Sequence, residues 1–134
     1  MSDAALSPTN NVHLDLRWPD LSEIGRARHL AKDFLAGSPA DVVETAQLLT
    51  SELVTNAMQH GSGAVRISLD CVDGILRVRV SDGSTREPVM RDASGLEETR
   101  GHGLLLVAAL ALSWGIAPDL LTGGKTVWFR LRTE

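Results

Sequence analysis

Glu52 and Asn56 are the two residues whose types and spacing point most directly to chemistry. They are four residues apart within a long helical pattern, so their side chains are expected one turn apart on one face of a helix. A carboxylate can act as a base or orient a reacting group, and a carboxamide oxygen is a neutral ligand for a hard cation. The pair suits a metal ion and a phosphate chain better than a packed core. A solvated helix edge is the alternative.

Asp82, at the end of a predicted strand, is the third candidate. The alternating apolar residues from Leu76 to Val80 predict a core face, and Asp82 has the same parity. Its carboxylate is therefore expected to point inward, where burial is costly unless hydrogen-bond donors meet it. An adenine amino group would be such a donor, and Gly83 would let a ring approach the backbone. The alternative is a turn or helix-capping aspartate, because Asp-Gly is common in turns.

A glycine-rich segment is predicted to open the third helix; it reads Gly101-His102-Gly103-Leu104. Free backbone N–H groups at a helix N-terminus accept anionic phosphates, and two glycines remove steric obstacles. A flexible hinge would contain the same glycines, and His102 fits an exposed lid position as well as a phosphate contact. Together with the two preceding features, this segment predicts a nucleotide-binding site.

The rest of the pattern predicts the elements that must position these residues. Ser38 is expected to cap the second helix, with Pro39 in its first turn, and the helix is expected to stop at Gly61-Ser62-Gly63, where a glycine supplies the left-handed residue. Asp73-Gly74 is a strong hairpin signal. The predicted elements are a strand at 13–18, helices at 21–37 and 39–60, strands at 65–70 and 76–82, a long loop at 83–100, a wholly buried helix at 104–113, and strands at 114–117 and 125–132.

This order of elements predicts an α+β fold, a two-layer α/β sandwich with a mixed, mainly antiparallel sheet and helices on one face. The polar residues 1–11 are expected to be a disordered leader, and residues 12–134 a single domain. The length of 134 residues suits one domain with a hydrophobic core.

Composition excludes several classes of protein. The net charge of −4 argues against direct nucleic-acid binding, which usually needs a basic surplus. Cys71 is the only cysteine, so no intrachain disulfide or thiolate metal cluster is expected. The longest apolar run, residues 104–112, is too short to cross a membrane. A cytoplasmic protein without membrane contact is expected.

Four motifs in order resemble the GHKL, or Bergerat-fold, ATP-binding proteins. They are SELVTNAMQH at 51–60, VSDGS at 80–84, GHGLLLV at 101–107, and WG at 114–115 with GKTVW at 124–128. Within that group the chain looks most like the small stand-alone anti-sigma-factor serine/threonine kinases of bacteria, particularly the actinobacterial kind. The resemblance covers about residues 12–132.

The resemblance implies a role for each matching position. Asn56 would coordinate the Mg²⁺ that bridges the ATP phosphates, and Glu52 would be the general base that takes a proton from a serine hydroxyl. Asp82, beside Gly83, would accept from the adenine amino group. The segment from Gly101 through His102 and Gly103 to Leu104 would lie against the phosphates, and residues 84–100 would form a lid.

Thr126, on the last strand, would reach the adenine side through water. Its parity differs from that of Val127, Phe129 and Leu131, which look like a core-facing set. The chain also departs from the family pattern in having His102 where arginine is frequent, and in lacking a second glycine after Asp82.

The resemblance implies an ATP- and magnesium-dependent regulator of transcription. It would bind a sigma factor, phosphorylate a serine on an antagonist of the anti-sigma factor, and form a homodimer. One alternative is a module that binds ATP and captures partners without transferring phosphate. A second is the catalytic domain of a two-component histidine kinase, and a third is an interaction domain without a ligand.

Overall fold

A computed structural model describes residues 10–84, 98–119 and 123–134. Its helices and strands follow one another along the chain as β1 (Asn10–Leu16), α1 (Glu23–Phe34), α2 (Ala40–His60), β2 (Val65–Val72), β3 (Ile75–Asp82), α3 (Glu98–Leu110), β4 (Ser113–Pro118) and β5 (Lys125–Arg132).

The five described strands form one sheet in the order β1-β2-β3-β5-β4, and every neighbouring pair is antiparallel. The predicted α+β two-layer fold is confirmed. Because β5 lies between β3 and β4, the start of the last strand is placed beside the end of β3. Asp82 and Lys125 are therefore direct partners in the ladder.

One face of the sheet carries the hydrophobic core. Alternate residues of β2 and β3, including Ile67, Leu69, Val78 and Val80, are buried, as the sequence alternation predicts. Phe129 of β5 is fully buried on the same face. The helices cover this face, and the polar residues between the apolar ones lie on the other.

Helix α2 differs from its prediction at its start and agrees with it at its end. Pro39 occupies the N-cap position and no side chain caps the helix, so the expected cap by Ser38 is wrong. The helix ends where predicted: the C-cap residue Gly61 is extended (φ −88°), and Gly63 is the left-handed glycine of the segment (φ 68°). The hairpin turn is as predicted, because Asp73 (φ 54°) and Gly74 (φ 76°) both have positive φ.

Helix α3 also differs from expectation. It begins at Glu98 rather than at Leu104, and it is only partly buried. Leu104 and Val107 are in the core, whereas Leu110 is 46% exposed, so burial of the whole helix is wrong. None of the described helices is both long enough and apolar enough to cross a membrane.

Two further features concern the N-terminal half. Strand β1 begins at Asn10, so residues 10 and 11 of the predicted leader belong to the sheet. After β1, the buried Glu23 accepts the backbone N–H of Arg17 (2.7 Å) and contacts the guanidinium of Arg26 (3.0 Å). These contacts attach the start of α1 to the end of the strand.

Candidate functional site

Asp82 is buried at the end of β3 and points to the core face, as its parity predicts. The ammonium group of Lys125 lies 3.0 Å from Oδ1 and 2.9 Å from Oδ2. The backbone N–H of Ser84 also donates to Oδ1, at 2.7 Å. The buried carboxylate therefore has the donors that its burial requires.

The backbone around Asp82 is closely packed because two neighbouring residues are glycines. A Cβ on Gly61 would lie 2.8 Å from Cγ of Asp82, and a Cβ on Gly124 would overlap the Asp82 carbonyl oxygen. The N–H of Gly83 donates to the carbonyl of Ser62, at 2.7 Å. The end of β3 is thus held against the C-terminal end of α2 and the start of β5.

Asn56 lies on α2 about one and a half turns before Gly61, or roughly 7.5 Å along the helix axis. Its side chain is only 9% exposed. The buried side-chain atoms that lack a hydrogen-bond partner in the described part of the chain belong to Thr50 and Arg79, and no carboxamide atom of Asn56 is among them. A ligand that met this amide at the border of the core would bind it favourably.

Glu52 is half-buried one turn before Asn56, on the same side of the helix. On the other side of α2, Gln47 donates to the carbonyl of Arg28 in α1, at 3.2 Å. Nine residues at 100° each place Asn56 about 180° around the axis from Gln47. The face with Glu52 and Asn56 is therefore turned away from α1.

The glycine-rich segment lies within α3, because that helix begins at Glu98. The expectation that Gly101 and Gly103 open a helix is therefore wrong, and from Gly103 onward the backbone N–H groups have carbonyls one turn earlier in the same helix. Leu104 is buried in the core. The side chain of His102 and residues 85–97 of the lid predicted at 84–100 lie outside the part that the structure describes, so the phosphate contact of His102 and the lid stay predictions.

Thr126 lies on the face of the sheet away from Asp82. Its hydroxyl is 2.9 Å from the hydroxyl of Ser81, and both side chains alternate with buried core residues. The structure therefore brings Lys125, and not Thr126, to Asp82. The sequence contained a signal for this: Lys125 has the parity of the core-facing residues of β5, where a lysine needs an anionic partner.

A cleft of about 560 Å³ reaches Asp82 and Gly83 at the ends of the strands. Its described walls also include Ser81, Arg66 and Asp119, whereas Glu52 and Asn56 do not line it. The packing of Gly61 against Asp82 brings the end of α2 to this carboxylate, and the convergence of Asn56 with Asp82 on one site stays a prediction.

The described residues of the site could coordinate a magnesium ion only if a bound nucleotide supplied further oxygen ligands. Within residues 10–84, 98–119 and 123–134, no group of three or more His, Cys, Asp or Glu side chains could hold a metal ion. Mg²⁺ is commonly held by one or two protein oxygens, several waters and substrate phosphates. The carboxamide oxygen of Asn56 is suited to be such a ligand.

A family model of the histidine kinase-like ATPase domain matches residues 18–131. The chain belongs to this family. The match confirms the resemblance to the GHKL superfamily, and it assigns ATP as the ligand of this domain and a regulatory ATPase or kinase-like role. A comparison with curated proteins gives no match.

Proposed function

We propose that this histidine kinase-like ATPase domain is a Mg²⁺- and ATP-dependent protein serine kinase that also sequesters a sigma factor. The observation that carries the proposal is the largely buried Asn56 on α2, one turn from Glu52 and on the same helix face. It lies near the end of α2 that borders the inward-pointing Asp82.

In this proposal the chain acts mainly by positioning. Asn56 would hold the magnesium ion, which supplies charge neutralisation at the phosphates. Asp82 would bind the adenine amino group and thereby fix the nucleotide at the base end. Glu52 would lie beside the phosphate end of the site, because it shares the helix face of Asn56.

The transfer step needs one base. The hydroxyl oxygen of the substrate serine would form a bond to the γ-phosphorus while the bond from that phosphorus to the β,γ-bridging oxygen breaks. ADP is the leaving group, and the hydroxyl proton passes to the Glu52 carboxylate. Because phosphoryl transfer requires little covalent help, orientation by Glu52 is sufficient for the role proposed here.

The partners are proposed from the resemblance. The sigma factor would bind outside the nucleotide site, and the exposed face of α1 is a candidate surface. The phosphorylated protein would be an antagonist of the anti-sigma factor, and the active form would be a homodimer. A change in lid conformation between the ATP-bound and ADP-bound states would couple phosphorylation of the antagonist to binding of the sigma factor.

The test is a pull-down from the cytoplasm of the source organism with labelled ATP and Mg²⁺. Wild-type protein is expected to retain a partner and to label a serine on a retained protein. Glu52→Gln should bind ATP with unchanged affinity by calorimetry but give no phosphoserine. Glu44→Gln, an exposed carboxylate on the same helix, is the matched control and should behave as wild type.

The outcomes separate the kinase from its alternatives. ATP-dependent capture of a partner with no phosphoserine in the wild type would overturn the kinase and leave the partner-capture module. Phosphoserine formation by Glu52→Gln at the wild-type rate would overturn Glu52 as the base. No heat of binding at millimolar ATP would overturn every nucleotide role.

A further inference from the structure

Lys125 is buried next to the residue proposed to bind adenine. Its side chain is 5% exposed and that of Asp82 is 1% exposed. A buried ion pair is a weak stabiliser, since an apolar pair of similar size often serves the fold as well. The pair also lies where β3, β5 and the end of α2 meet, which is the base end of the proposed site.

The hydrogen-bonding capacity of the pair is not used up within the described chain. Among the described residues, Oδ1 of Asp82 accepts from both Ser84 and Lys125, whereas Oδ2 accepts from Lys125 alone. A carboxylate has about four acceptor sites and an ammonium has three donors. One acceptor site on Oδ2 and one N–H of Lys125 therefore stay available, on atoms 2.9 Å apart.

Adenine presents the complementary pair of groups. Its Watson–Crick edge has the N6 amino donor directly beside the N1 acceptor. We propose that Lys125 is a second base-reading residue of the site. Its ammonium donates to N1 of adenine while Asp82 accepts from the N6 amino group. This inference rests on the adenine role proposed for Asp82.

The proposal gives Lys125 a role that a purely structural ion pair would not have. A structural lysine would change stability and the affinity for every nucleotide by one common factor. A base-reading lysine instead changes the ratio of affinities between ATP and 1-deaza-ATP, in which N1 is replaced by C–H. This ratio is independent of any loss of folded protein that both titrations share.

The experiment is calorimetric titration of both nucleotides into wild-type protein and Lys125→Met. Wild type is expected to bind 1-deaza-ATP about tenfold more weakly than ATP, as suits one hydrogen bond from a charged donor. Lys125→Met should bind the two nucleotides with equal affinity. Lys32→Met, which removes the chain's other lysine from the exposed face of α1, is the matched control and should keep the tenfold ratio.

Lys125→Met leaves a buried carboxylate without its cation, and this variant could fail to fold. The double variant Asp82→Asn with Lys125→Met removes both charges, and the amide oxygen introduced at position 82 can still accept from N6. The double variant should bind ATP and 1-deaza-ATP equally.

A tenfold ratio that persists in either variant would overturn the inference, and so would equal binding of the two nucleotides by wild type. In both cases ATP binding itself would stand. Failure of the wild type to bind ATP would overturn the proposed function as well.

Discussion

Replacement of Gly61 by alanine tests the contact that joins α2 to the buried carboxylate. The added Cβ would lie 2.8 Å from Cγ and 2.9 Å from Oδ2 of Asp82, and 2.5 Å from the carbonyl oxygen of Ala57. All three separations are shorter than van der Waals contact. One of the atoms belongs to the helix backbone, so rotation of the Asp82 side chain alone cannot relieve the overlap.

The expected cost follows from this geometry. Overpacking a tight interior contact typically costs about 1–3 kcal/mol. For a chain of this size, about 2 kcal/mol lowers the midpoint of thermal unfolding by roughly 5–10 °C. Since the Asp82 carboxylate must move away from its place beside Lys125, we also expect weaker ATP binding, by about tenfold or more.

Thermal unfolding monitored by circular dichroism and calorimetric titration with ATP measure the two effects. Gly25→Ala is the matched control, because a Cβ there meets nothing within 4 Å and Gly25 lies within α1. It should leave ATP affinity unchanged and stabilise the protein slightly. Wild-type stability together with wild-type affinity in Gly61→Ala would refute the close approach of α2 to Asp82.

Three further changes have defined outcomes. Asn56→Ala should abolish the part of ATP affinity that depends on Mg²⁺, measured with Mg²⁺ and with EDTA. Thr126→Val should leave ATP affinity unchanged, since this side chain faces Ser81 across the sheet. The backbone N–H of Arg17, together with the guanidinium of Arg26, lowers the pKa of Glu23. Glu23→Gln should therefore lower the free energy of unfolding, measured with urea at pH 7. The loss should become smaller as the pH falls below about 4.3.

Each of these three predictions has a contradicting result. Equal ATP affinity with Mg²⁺ and with EDTA in wild type would remove the metal role of Asn56. A large loss of ATP affinity in Thr126→Val would mean that the base reaches the outer face of the sheet. For Glu23 the lowered pKa makes the ionised form stabilising above the ordinary pKa of glutamate, and this stabilisation disappears as pH falls through the lowered value. A cost that stayed constant down to about pH 3 would contradict that assignment.

Features that follow from the short repeat of a strand or a helix could be predicted from the sequence without knowledge of the fold. The alternation in β2 and β3 predicted which side chains are buried, and the same parity predicted that Asp82 points inward. The spacing of Glu52 and Asn56 predicted their shared helix face. These inferences hold because parity and helical periodicity are properties of the local backbone.

Helix boundaries were predicted less accurately than the buried faces. Ser38 has the right type for an N-cap, yet Pro39 holds that position, and α3 begins before the glycines that were expected to open it. A helix end depends on a few weak local interactions, and packing against the rest of the domain can move it by several residues.

The sequence by itself determined the fold class, the inward carboxylate of Asp82 and the helix face of Glu52 and Asn56. Only the tertiary structure decided which groups meet that carboxylate, namely the ammonium of Lys125 and the glycines at 61 and 124. Lys125 is 43 residues from Asp82 along the chain, and the two become neighbours because β5 pairs with β3 in one particular register. Register is set by the packing of the whole sheet, so it cannot be read from the parity of either strand alone.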